Sequence, residues 1–133
     1  MNKIKAVIFD MDGVLVEAKD WHYDALNKAL GLFGFDISRY DHLVTYDGLP
    51  TVTKLDMLTL ERGLPGQLNE FINELKQKST IDLVHQNCKP RFYHEYALSK
   101  LKGSGYKIAC GSNSVMDSIQ IMLEKSHLVG YMD

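Results

Sequence analysis

The first apolar segment is Ala6-Val7-Ile8-Phe9, with Ile4 just ahead of it. This near-continuous run over residues 4–9 predicts a β-strand covered on both faces. It stops at Asp10-Met11-Asp12-Gly13, where Gly13 permits a sharp turn. The period then becomes helical. Trp21, Ala25, Leu26, Ala29, Leu30 and Phe33 share one helical face, Asp20 stands where a cap belongs, and Gly34 stands where the helix stops. The pattern predicts a second helix over 38–46 and a third from Thr51 to Gly63. After a turn at Pro65-Gly66, a fourth runs through Leu68, Phe71, Ile72 and Leu75 and past Lys78. No strand pattern occurs between Gly34 and Gln86. Lys89-Pro90 breaks the run, and a fifth helix carrying Phe92, Ala97, Leu98 and Leu101 ends at Gly103-Ser104-Gly105. Residues 106–111 form the second strand pattern. Ser112-Asn113-Ser114 is a polar turn, and a last helix carries Val115, Ile119, Met122 and Leu123.

Two strands joined by so long a connection are expected to be parallel. Parallel sheets normally have several strands with helices on both faces. The element order therefore predicts an α/β fold: a partial doubly wound parallel-sheet (Rossmann-like) core with a helical insertion. Composition narrows the function classes. The 133 residues suit one domain, and 15 Lys plus Arg against 17 Asp plus Glu leave a formal charge of −2. With 45% apolar and 24% charged residues, the chain is not a disordered tail, a fibre or a strongly basic nucleic-acid binder. The N-terminal apolar run is too short for a membrane span or signal peptide, so neither nucleic acid nor membrane is an expected partner and the expected location is cytoplasmic. Cys88 and Cys110 have no metal-ligand spacing and read as free thiols, Cys110 in the core and Cys88 beside Lys89, a neighbour that lowers a thiol pKa.

The chemistry concentrates at the two strand ends. In open α/β sheets, sites form beyond the carboxyl ends of the strands. Asp10 and Asp12 project there, two residues apart, in a turn tightened by Gly13. Paired carboxylates hold a hard cation such as Mg²⁺, and one carboxylate can act as nucleophile while another moves a proton. The plainer reading is a solvated acidic turn. A calcium loop fails, because it would need carboxylates where Ile8 and Lys19 stand. At the second strand end, Ser112 and its neighbours precede a helix, whose N-terminus favours anions. Alone, Ser112 or Ser114 reads as a helix cap. Beside an acidic strand end in the same sheet, phosphate binding is the better reading.

Asp10-Met11-Asp12-Gly13-Val14-Leu15 after the first strand resembles the first signature of the haloacid dehalogenase-like superfamily, and Ser112 after the second strand resembles its second signature. The resemblance is to the β-phosphoglucomutase and phosphoglycolate phosphatase-like group and covers essentially the whole chain. It implies a core over 1–15 and 88–133 and an inserted α-helical cap domain over 16–87. It also implies a Mg²⁺-dependent phosphatase acting on a small phosphorylated metabolite such as a sugar phosphate. Asp10 would take the phosphoryl group as an aspartyl-phosphate. Asp12 would protonate the leaving oxygen and then activate water. Mg²⁺ would sit on the Asp10 carboxylate and the Asp12 carbonyl, and Ser112 with the Asn113 amide would hold the phosphoryl oxygens. The second aspartate argues against a dehalogenase, which protonates no alkoxide.

Four further residues are candidates by the same resemblance. Glu17 and His22 fall near the hinge, and His22 matches a position coupling substrate binding to acid–base chemistry; its alternative is a solvated polar residue. Thr51 follows the Asp47-Gly48-Leu49-Pro50 loop where the mutase has a basic residue gripping a remote phosphate. Lys78 is a substrate contact or a solvated lysine. His42, His85, His94 and His127 show no ligand spacing. The superfamily's third signature, a lysine, and its fourth, an acidic pair, do not occur within the 133 residues, and Lys125 lies too close to Ser112 to be the former. The expectation is therefore the front part of a longer enzyme, prone to self-association or element swapping. The alternatives are an incomplete fragment or binding module, or a phosphomutase.

Overall fold

The computed structural model describes residues 3–133. Strand β1 (Ala6–Asp10) pairs in parallel with β2 (Lys107–Gly111), Ala6 opposite Lys107 and Asp10 opposite Gly111. Between them lie α1 (Lys19–Gly31), the short α2 (Arg39–Asp41), α3 (Thr51–Arg62), α4 (Asn69–Asn87) and α5 (Phe92–Gly103); α6 (Met116–Lys125) follows β2. No helix among the described residues is long and apolar enough to cross a membrane.

The chain divides into two compact units. One contains the residues up to Lys19 together with Val84–Asp133, and the other is Asp20–Leu83. The family resemblance implies junctions at 15/16 and 87/88. Residues after the aspartate turn stay with the sheet because the chain folds back there: Asp12 bridges Val16, and the Gly13 N–H donates to the Val16 carbonyl at 2.7 Å. At the other junction the buried Cys88 bonds by its N–H to the Val84 carbonyl at 2.9 Å and by its thiol to the Met122 carbonyl at 3.7 Å.

In the sheet unit, register and alternation put Val7, Phe9, Ile108 and Cys110 on one face and Ala6, Ile8, Asp10, Ala109 and Gly111 on the other. The first face is the covered one, with Ile108 fully buried. Ile8, on the second, is 73% exposed, so the expectation of a strand covered on both faces is corrected. The described sheet has two strands, and nothing among the described residues covers that side. Asp133 clips β2: its N–H donates to the Ile108 carbonyl, and its carboxylate accepts from the Ile108 N–H, each at 2.8 Å. The Lys102 ammonium, with that N–H, holds the Asp133 carboxyl below the usual carboxylate range.

The helical unit has its own core. Leu26, Ala29 and Leu30 of α1 pack with Ile37, Tyr46, Leu55, Leu58, Leu64 and Ile72 in one buried cluster. Helix α3 starts after Pro50 and stops at Gly63 in the left-handed conformation, matching its sequence signals. The expected second helix takes a different form. Ser38 caps α2 through its hydroxyl, and the chain then widens into a π-turn, His42–Tyr46, closed by the Asp47 N–H on the His42 carbonyl at 2.7 Å. A side-chain clamp fixes the entry to this segment. Asn27 accepts from the Ile37 N–H and donates to its carbonyl, both at 2.8 Å, and the Tyr23 hydroxyl donates to the same carbonyl. His42 is buried, edge-on to Tyr23, with Lys54 Nζ 3.5 Å from its Nε2.

Two outcomes follow. Asn27→Leu leaves the Ile37 N–H without its partner while the carbonyl keeps Tyr23, and should cost about 1–3 kcal/mol in a denaturant unfolding series. His42 is held below its ordinary value of 6.5, by burial first and by the Lys54 charge second. The unfolded chain therefore takes up this proton more readily than the folded one. The His42 contribution to stability is intact above pH 6.5 and is lost as pH falls from there toward the depressed folded value. His42→Gln should flatten this part of the profile, read as unfolding midpoints on either side of pH 6.5.

Candidate active site

Asp10 closes β1, and its Oδ1 accepts from the Met11 N–H at 2.8 Å. Buried Met11 anchors the turn beyond it: its carbonyl accepts from the N–H groups of Val14, Leu15 and Val16 at 3.2, 3.0 and 3.1 Å. This winding requires Gly13 at φ +79°, in the left-handed region. Gly13 is also closely approached, since a Cβ there would lie 3.0 Å from Lys19 Cε and 3.8 Å from its Nζ. The lysine at the head of α1 thus folds over the turn that carries both aspartates.

Register puts the end of β2 alongside. Gly111 pairs with Asp10, and a Cβ on Gly111 would meet Ile8 Cγ2 at 3.5 Å. The chain then turns through half-buried Ser112, exposed Asn113 and half-buried Ser114. The Ser112 hydroxyl accepts from the Ser114 N–H at 3.0 Å. The Ser114 hydroxyl donates to Asp12 Oδ2 at 3.2 Å, joining turns 102 residues apart in sequence. Neither serine caps α6: Val115 holds the cap position, and no side chain bonds there. The second strand end thus brings the Ser114 hydroxyl to Asp12, just ahead of the start of α6. Half-buried Cys110 lies next to this charge. Burial, and then the Asp10 and Asp12 carboxylates, push its thiol up. Burial also pushes the Cys88 thiol up, so the lowering expected from Lys89 is corrected, and neither cysteine is poised as a nucleophile.

Asp10, Asp12, Ser112 and Asn113 belong to the sheet unit, as does exposed Glu17. His22, Thr51 and Lys78 belong to the helical unit. Half-buried Thr51 opens α3, and Lys78 is exposed on α4. The lysine of α4 that meets His22 is Lys76, whose Nζ lies 3.0 Å from His22 Nδ1 and which is only 5% exposed. A sequence signal for it exists: Ile72, Lys76, Thr80 and Val84 form one buried i, i+4 row, and a lysine within such a row is out of place unless partnered. Ser114 and Lys19 carried no comparable signal, because their placement depends on the strand register and the turn. Among the described residues, no group of three or more His, Cys, Asp or Glu side chains is gathered to hold a metal. The hard oxygen donors of Asp10 and Asp12 do suit Mg²⁺, which binds through one or two carboxylates with water and phosphate oxygens completing its shell.

The turn geometry predicts that Gly13→Ala destabilises the chain by at least about 1–2 kcal/mol, the cost of a left-handed non-glycine residue, with the Lys19 contact adding to it. Chemical denaturation of the variant against the parent chain measures this.

The haloacid dehalogenase-like hydrolase family matches residues 7–133. A phosphoglycolate phosphatase from Aquifex aeolicus (strain VF5) is 28% identical over 130 residues, which cover 98% of this chain and 59% of that protein. Among solved structures, a β-phosphoglucomutase from Clostridium difficile superposes with a TM-score of 0.81 at 24% identity, over 98% of this chain and 60% of its own. CbbY from Rhodobacter sphaeroides, solved in complex with phosphate, gives 0.76 at 19% identity, over 92% of this chain and 57% of its own. The two structures show a shared α/β fold, and the chain spans 59% of the length of the Aquifex relative. With the family matched from Val7 to Asp133, the chain belongs to the haloacid dehalogenase-like hydrolases.

Proposed function

We propose that this chain carries the phosphoryl-transfer site of a Mg²⁺-dependent phosphatase acting on a small phosphorylated metabolite, with Asp20–Leu83 as its cap. The observation that carries the reading is the meeting of the two strand-end turns, where Asp10 registers with Gly111 and the Ser114 hydroxyl bonds Asp12. A carboxylate nucleophile, a second carboxylate and an anion-holding turn are the three parts that such a transfer needs.

In this reading an Asp10 oxygen attacks phosphorus and the bond to the ester oxygen breaks. Asp12 donates a proton to the departing alkoxide. Asp12 then removes a proton from water as that water attacks the aspartyl-phosphate, which frees inorganic phosphate and regenerates Asp10. The Ser112 hydroxyl and the Asn113 amide hold the phosphoryl oxygens in line. The Asp10 carboxylate and the Asp12 carbonyl would hold Mg²⁺, which supplies charge shielding on the phosphoryl oxygens when bound. Glu17, His22, Thr51 and Lys78 are proposed to face substrate or hinge. Two features of the helical unit bear on substrate choice: Thr51 brings no charge, and the buried cation of α4 is Lys76. A second reading, a module that holds phosphate without turnover, is favoured by the lack of any third metal-ligating side chain beside Asp10 and Asp12 among the described residues.

An aryl phosphate assay on the 133-residue chain separates the two. Mg²⁺-dependent release of the phenolate, abolished in Asp10→Asn and lowered about 10²–10⁴-fold in Asp12→Asn, is the expected result for the phosphatase. Release that survives Asp10→Asn would remove the nucleophile assignment. Phosphate binding with no release would select the holding module.

A further inference from the structure

The two strand-end segments, residues 10–19 and 111–118, carry four carboxylates, those of Asp10, Asp12, Glu17 and Asp117, and the Ser114–Asp12 hydrogen bond joins the segments. A phosphoryl group adds further negative charge to the same place. Like charges held within a few ångströms repel by several kcal/mol unless a cation or tight solvation offsets them. Lys19 is the one cation in these two segments of sequence.

Its position is unusual on physical grounds. Lys19 is the first residue of α1, where the helix dipole disfavours a positive charge. Its side chain does not extend away from the turn but lies over it. Cε and Nζ pass over Gly13, 3.0 and 3.8 Å from where a Cβ would stand, in the turn directly after Asp12. Lys19 is exposed, so a ligand arriving at the turn meets it. The other cations of the strand region sit at the opposite end: Lys107 pairs with Ala6, four residues along β1 from Asp10, or roughly 13 Å at strand rise.

We propose that Lys19 is a cation of this site, its ammonium folded over Gly13 to offset the charge that a phosphoryl group brings to Asp10 and Asp12. The inference rests on the phosphoryl reading of the site. It assigns to Lys19 a substrate-binding task that lies within the turn itself.

The test titrates inorganic phosphate and, separately, Mg²⁺ into the 133-residue chain by calorimetry, comparing the parent with Lys19→Met and Lys19→Arg. Loss of the charge should weaken phosphate binding by about tenfold or more, while Mg²⁺ binding stays unchanged or tightens; Lys19→Arg should keep phosphate within about threefold of the parent. A merely structural lysine would not weaken phosphate binding while leaving Mg²⁺ binding intact or tighter. Unchanged phosphate affinity in Lys19→Met overturns the proposal, as does a parallel loss of both affinities with a lowered unfolding midpoint. A parent chain that takes up no phosphate overturns the site itself, a result distinct from a parent that binds phosphate regardless of residue 19.

Discussion

The parallel register of β1 and β2 is the constraint on which the site depends. Pairing Ala6 with Lys107 carries Asp10 to Gly111, and both strands then end at the same level. Each chain must turn there, and each turn carries polar residues that have no place in a strand. A slip of one residue would move Asp10 to the other face of the sheet and break the match of Val7 and Phe9 with Ile108 and Cys110 on the covered side. The apolar face thus fixes the position of the polar site. The Ser114–Asp12 hydrogen bond is a consequence of this register, since no local rule links residues 102 apart.

The aspartate turn uses backbone bonding where a looser loop would use side chains. Three N–H groups converge on the Met11 carbonyl, and a fourth bond returns from Gly13 to Val16. The side chain of Met11 is fully buried beneath them. The Asp12 side chain is therefore held by a wound backbone, and its rotamer is further fixed by a serine from the other strand end. Preorganisation of this kind lets a carboxylate act in a defined direction without reorganising as charge develops. The cost is the strained conformation that only glycine relieves at residue 13.

Several parts of this arrangement were legible in the residues alone. Asp10 and Asp12 were readable because a strand that ends in a turn leaves little choice about where its last side chains lie. Helix α3 was readable because Pro50 and Gly63 mark both of its ends. Other features depend on tertiary facts. The run over residues 4–9 is apolar throughout, and its composition says nothing of how many neighbours the strand has, so the exposure of Ile8 was hidden. Residues 42–46 have the composition of an ordinary helix, and the widened turn appears only in the bond from Asp47 to His42. Ser112 and Ser114 look like caps by type, yet the cap position falls on Val115, and the Ser114 hydroxyl bonds Asp12 instead. Lys78 and Lys76 differ little as isolated residues; the buried row through Ile72, Thr80 and Val84 is what separates them.

The helical unit places its polar residues under a different physical rule. Its apolar cluster lies wholly between Leu26 and Ile72, so its stability comes from its own packing. Two lysines, Lys54 and Lys76, are nevertheless buried, each with a histidine nitrogen within 3.5 Å. An ammonium has only donors, so the facing Nε2 of His42 acts as the acceptor, and burial together with the Lys54 charge holds this imidazole toward its neutral form. Protonating this ring would set two like charges together in a poorly solvated place. Burial of Lys54 is therefore coupled to the neutral form of His42, a coupling that purely apolar residues would not impose. With separate cores, a substitution among these polar groups need not disturb the register that builds the aspartate turn. The aspartate turn and the polar groups of the helical unit are therefore free to change independently.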